Sequence, residues 1–303
     1  MKYQAMRLAD RRTGIALIVA AAIAWSTAAF FIRLLHFDSW TILFWRGLFG
    51  GGSIALFLIL TQGRRALRDL VAMKANGWLV ACLSTIGMVS FIPALQLTSV
   101  ANAAIIVATQ PFVAAAIAWI WLREAVQPRT MLASLVALAG IVVIVSGAGG
   151  VGDYRGIGLA CIMVLAISIM TVAMRKHRDT PMVAAAAVSN FLGTLVSIPF
   201  AQGIGTVTAS DLVTFALFGL CQVGLGLTFY ALGSRTLPSG QASLIATLET
   251  PLMPFWVYLG FGEIPSLRAL FGGALVMGAV IADILADRRA HQHDATAKAV
   301  SGD

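Results

Sequence analysis

The stretch "NAAIIVATQPFVAAAIAWIWLREA", Asn102 to Ala125, is written again, loosely, as "QASLIATLETPLMPFWVYLGFGEI", Gln241 to Ile264. The offset is constant at 139, so Asn102 falls on Gln241, Gln110 on Glu249 and Glu124 on Glu263. Gly140 and Gly278, and Pro111 and Pro251, agree to within one position. Earlier in each half, "WSTAAFFIR" from Trp25 pairs with "ISIMTVAMR" from Ile167 at offset 142, which aligns Ser26 with Ser168 and Arg33 with Arg175. Ala and Leu match cheaply, so the weight rests on the paired polar positions.

Around these copies the chain is apolar. Of 303 residues, 59% are hydrophobic and 11% charged, against about 45–50% and about 25% in a soluble domain. A membrane span needs about 20 apolar residues. Ten blocks qualify, at 14–34, 39–61, 76–96, 101–122, 130–149, 156–174, 181–201, 211–232, 238–260 and 266–286. Backbone in lipid must satisfy its own hydrogen bonds, so long blocks mean helices, and the short alternating segments of a β-barrel are absent. The basic N-terminus followed by an apolar run resembles a signal peptide, but the run is too long for one and reads as the first, uncleaved span.

With the N-terminus in the cytoplasm, 17 of the 21 Lys and Arg residues fall inside, Arg33, Arg155 and Arg268 fall outside, and Arg46 lies within a span. That bias predicts both termini inside. The expected fold is therefore an all-α membrane protein of ten helices in two five-helix repeats, residues 1–150 and 151–303, the second ending in a cytoplasmic tail. Five is odd, so the second repeat enters the membrane upside down. Inverted repeats characterise secondary transporters, whose site lies at the repeat interface near the midplane.

"ALQLTSVANAAIIVATQP", "WLREAVQP" and "LAGIVVIVSG" in the first half, with "QASLIATLETP" and "GFGEIPSLRALFGGALVMGAVI" in the second, resemble the EamA-type exporters of the drug/metabolite transporter superfamily. The resemblance covers about 270 residues. It implies a ten-helix exporter in a bacterial inner membrane, with amino acids, related metabolites or drugs as cargo. The aromatic-rich helices are similar to those of aromatic amino-acid exporters. Family members often read "LEP" in the ninth span, whereas this chain reads "LETP", Leu248 to Pro251, which shifts the proline by one.

The candidate site follows from polar groups inside apolar spans. Glu249 lies midway along the ninth span, where a charge costs roughly 2.5–3.5 kcal/mol. It is expected to contact a substrate ammonium, to exchange a proton, or to be held structurally. Arg46 suits a substrate carboxylate through its planar fork; pairing with Glu249 or snorkelling to the outer interface are the alternatives. Asn102 with Gln110, and Gln241 with Glu249, are each spaced by eight, roughly one side of a helix. Substrate contact and interhelical hydrogen bonding fit these equally. Trp25, Trp45, Tyr230 and Trp256 lie inside spans and suggest an aromatic wall, while Trp78, Trp119 and Trp121 lie nearer interfaces. Ser26 and Ser168 are candidate contacts or packing residues. Pro111, Pro251 and Pro254 are candidate hinges, because each frees a carbonyl four residues earlier, Thr247 in the case of Pro251. Gly50, Gly51, Gly52, Gly272 and Gly273 read as close-packing positions.

Other classes fit less well. No basic stripe with aromatics marks a nucleic-acid surface. Cys82, Cys161 and Cys221 read as small apolar packers, and neither they nor the four histidines form a metal set. No Walker A motif is present, no serine has a histidine partner within a span, and no cofactor is implied. The expected function is secondary export of small metabolites, best aromatic or large neutral amino acids, by alternating access, with protons as a possible second cargo. A cationic-drug exporter and a scaffold or sensor without flux are the alternatives.

Overall fold

A computed structural model describes residues 2–63, 73–97, 106–125, 127–146, 154–177, 181–262 and 264–301. Asn102, Glu263 and the basic residues Arg64, Arg65, Arg68 and Arg178 lie outside the described residues. No strand occurs among those described.

Over its described residues, each predicted span falls on a helix. α1 runs Lys2–Ser26 and resumes as Ala28–Leu34; α2 is Ser39–Gln62, α3 Ala75–Leu97 and α4 Ile106–Leu122. α5 is Pro128–Val145, α6 Tyr154–Lys176 and α7 Met182–Ser197. α8 spans Ala209–Gly233, α9 comprises Ser239–Ala246 and Glu249–Phe261, and α10 is Leu267–Ser301. Six of these are long and apolar enough to cross a membrane, and α3, α4, α5 and α7 contribute shorter apolar helices. α10 continues as helix past residue 286 to Ser301.

The boundaries follow local chemistry. Asp38 caps α2, accepting the N–H groups of Trp40 and Thr41 at 3.0 Å each, which satisfies donors that a helix start leaves unpaired. Burial raises the Asp38 pKa, but its hydrogen bonds from Thr41 and from backbone N–H groups outweigh this and hold it below the ordinary value. Pro128 opens α5, where a missing N–H costs nothing. Thr208 and Asp211 form a capping box at the start of α8. α2 and α9 end on Gly63 and Gly262, both with positive φ.

Several helices are interrupted where the sequence predicts continuous spans. α1 breaks at Thr27, where Thr27 Oγ1 and Ser26 Oγ donate to the carbonyls of Ala24 and Ile23 at 2.6 Å and compete with the backbone ladder. α8 passes through a π turn at Gly219–Leu225. α4 has a turn at Thr109, and α9 one at Thr247 and Leu248. Both of these fall just before the aligned pair Gln110 and Glu249.

Among the described residues the most extensive helix contacts join α5 with α10, α3 with α6 and α2 with α7. At the first, a Cβ on Gly140 would stand 2.7 Å from the carbonyl oxygen of Gly272, so only glycine admits this approach. Gly50, Gly51 and Gly273 also sit against neighbouring elements, but Gly52 faces open space and is not a packing position. Cys82 and Cys161 are exposed on the outer surface instead of packed inside.

One end of the bundle is bound together by basic and polar groups, and is called the basic end below. Arg11 Nη2 donates to Gln241 Oε1, Gln241 Nε2 to Asp283 Oδ2 and Thr130 Oγ1 to Asp283 Oδ1, each at 2.8 Å. This chain ties α1, α9, α10 and α5. Arg175 pairs with Glu124, and Arg129 Nη1 donates to the Ala286 carbonyl at 3.2 Å. Lys176 lies 4.6 Å from the centre of the Trp121 ring.

Candidate functional site

A cavity of about 320 Å³ opens in the middle of the bundle, lined from α1 through α9. It extends to Ile32 and Ser39, at helix ends away from the basic end, and is floored near Tyr230 and Met170. Five predicted site residues line it: Trp25, Arg46, Gln110, Tyr230 and Glu249.

Glu249 is the first residue of the second segment of α9. It stands ten residues beyond Ser239, roughly 15 Å into the bundle at 1.5 Å per residue. The turn before it creates a helix N-terminus inside the membrane, and the positive end of that short helix favours a carboxylate there. Pro251 underlies the break, since it cannot donate to Thr247. The Thr247 carbonyl is nevertheless not free, because it accepts the Thr250 N–H at 3.1 Å in a tightened turn. Among the described residues nothing hydrogen-bonds or pairs with the Glu249 carboxylate.

Arg46 neither snorkels outward nor pairs with Glu249. Its Nη1 donates to Gln222 Oε1 at 2.8 Å. Gln222 lies 13 residues into α8, so the bond draws the guanidinium to roughly 20 Å from the opposite end. Its Nε is buried without an acceptor among the described residues, and its guanidinium lies 5.8 Å from the centre of the Phe218 ring, a cation–π contact. The Trp25 and Tyr230 rings are 5.0 Å apart on the wall, and the Tyr230 hydroxyl shares a hydrogen bond of 2.7 Å with Thr171.

The remaining candidates lie elsewhere. Gln241 is fully buried in the basic-end network, and with Pro111 it lines a separate crevice of about 30 Å³ there. Trp256 Nε1 donates to Ser26 Oγ at 2.7 Å, joining α9 to α1 away from the cavity. Ser168 is buried in α6, its hydroxyl without a partner among the described residues. Neither Pro251 nor Pro254 lines the cavity, and Pro251 sits against Gly273 of α10. Trp45 packs with Phe44, Phe49 and Phe215 in an aromatic cluster. Asn102, as stated, is outside the described residues.

Sequence reading missed Gln222, Asn190 and Ser243, all on the lining, where Thr247 and Thr250, noted only for the carbonyls that Pro251 and Pro254 free, also lie. Gln222 has no polar counterpart in the repeat and no charge to draw notice. A glutamine inside an apolar block is itself the signal that could have found it. Among the described residues no cluster suited to a metal ion occurs.

A bundle of apolar helices around a charged central cavity defines a multi-pass membrane protein that can house a small polar molecule. The EamA-like transporter family model matches residues 12–146 and 154–282, and the chain belongs to that family. An uncharacterized transporter of Archaeoglobus fulgidus is 26% identical over 288 residues, covering 89% of this chain and 96% of the relative. The uncharacterized transporter YdfC of Bacillus subtilis is 27% identical over 252 residues, 78% of each chain. A solved crystal structure covers 92% of this chain and 99% of its own, with a TM-score of 0.80 at 20% identity, a likeness of fold alone.

Proposed function

We propose that this transporter is a secondary exporter of small zwitterionic metabolites, with aromatic or large neutral amino acids as cargo. One observation carries the reading. Arg46 and Glu249 line a single cavity, both without a charged partner among the described residues, beside Trp25 and Tyr230. An unpaired cation and anion in a poorly hydrated site complement a molecule bearing both charges, and the aromatic wall suits a bulky apolar side chain. Arg46 meets the carboxylate. Glu249 contacts the ammonium or carries a proton. Gln110, Pro111, Pro251 and Pro254 belong to the moving repeat interface, and Ser168 borders it.

Alternating access of two inverted five-helix repeats, 1–150 and 151–303, is the mechanism, and the two stretches matched by the family model support that division. The site is placed in a bacterial inner membrane with both termini cytoplasmic, as the distribution of basic residues supports. Protons and the bilayer are the other partners. The cavity then faces away from the cytoplasm, with the cytoplasmic side shut by the basic-end network.

Reconstitution in liposomes tests this. Labelled phenylalanine, tryptophan and leucine are expected to cross, and faster with a pH gradient. Flux of flat organic cations without any amino acid would favour the second reading, a drug exporter with Glu249 as cation partner. No flux of any solute would leave a scaffold or sensor.

A further inference from the structure

The two charges of the cavity stay apart, although opposite charges attract far more strongly in a poorly hydrated interior than in water. Arg46 instead takes a neutral acceptor, Gln222 Oε1, at 2.8 Å. The bond holds one arm of the guanidinium and leaves, among the described residues, its positive charge uncancelled and its Nε–H buried with nothing to donate to. Gln222 sits in the π turn Gly219–Leu225 of α8, an irregularity that occurs often at functional sites. Both side chains line the cavity.

We propose that Gln222 is the specificity-determining residue of the site: by holding Arg46 with a neutral amide against Phe218, it reserves the guanidinium for a carboxylate on the cargo. The proposal rests on reading the cavity as the cargo site. A carboxylate in place of the amide would neutralise Arg46 at once. An apolar chain of the same length would leave Arg46 free to swing toward Glu249.

The test uses the full chain in lipid nanodiscs, with L-phenylalanine and L-phenylalaninamide as probes. They differ in carboxylate against carboxamide. Wild type is expected to bind phenylalanine roughly tenfold more tightly than the amide, the size of one charge-assisted hydrogen bond. Gln222→Glu is expected to abolish or reverse that preference, and Gln222→Met to reduce it, with binding of phenylalaninamide retained as evidence of an intact fold. A wild-type ratio in both variants overturns the proposal. So does parallel loss of both probes in Gln222→Met, which would make Gln222 a brace of the bundle. If wild type binds neither probe, the cargo reading itself fails together with the proposal.

Discussion

Glu249 shows what a single residue contributes. Its position at a helix start inside the bundle gives the carboxylate a favourable dipole and no competing partner among the described residues. A titratable group in that setting can take up and release a proton as access changes. Glu249→Gln keeps the shape and removes the titration. In reconstituted liposomes it is expected to remove the pH dependence of amino-acid flux while leaving exchange of cargo across a pH-neutral membrane measurable. Unchanged pH dependence would assign Glu249 a structural role. Its burial inside a span was legible in the sequence, because a carboxylate in the middle of an apolar span stands out, and the structure puts it on the cavity wall. Arg46 was legible for the same reason, but its partner was not. Nothing in "FWRGLFGGG" points to a glutamine 176 positions away.

At the scale of the element, small residues decide how closely helices pack. α5 and α10 meet at Gly140 and Gly272, where backbone touches backbone. Gly140→Leu cannot be accommodated without separating the two helices. A loss of about 1–3 kcal/mol is expected, as for overpacking in a core, measured as a lower unfolding midpoint in detergent. The same substitution at Gly52, which faces open space, is expected to be nearly neutral. The sequence groups Gly50, Gly51 and Gly52 as alike, and only their neighbours separate them. The breaks in α4 and α9 were half legible. The prolines mark where a helix loses a hydrogen bond, but the tightened turn that recaptures the Thr247 carbonyl depends on how the chain relaxes.

For the molecule as a whole, the basic end is where four helices are tied by Arg11, Gln241, Asp283 and Thr130. Asp283 is 2% exposed, so its removal leaves two buried donors unsatisfied. Thr130→Val is expected to lower stability by about 0.6 kcal/mol, the average for a hydrogen bond between membrane helices, and by no more than about 1.7 kcal/mol. Asp283→Ala is expected to cost more, because Gln241 also loses its acceptor. Detergent unfolding of both variants checks the order, and equal midpoints for wild type and Asp283→Ala would show that the network holds nothing. Gln241 aligns with Asn102 and carries the same spacing to Glu249 as Asn102 does to Gln110, which made it look like a site residue. Spacing by eight residues puts two groups on one side of a helix but separates them by about 12 Å along it. One therefore reaches the cavity and the other the closed end.

Apolar run lengths and the excess of basic residues are properties of the chain itself. They alone determined that this protein is a helical membrane bundle, where its apolar helices lie and that Arg46 and Glu249 fall within them, because the bilayer penalises any other arrangement of so much apolar sequence; the burial of Asp283 did not show in them. Which polar groups face the cavity and which brace the end was decided only by tertiary structure. Those choices depend on rotation about each helix axis and on partners more than a hundred residues away, as Arg46 with Gln222 and Arg11 with Gln241 show. One turn of a helix carries a side chain from wall to brace without changing the composition of the span.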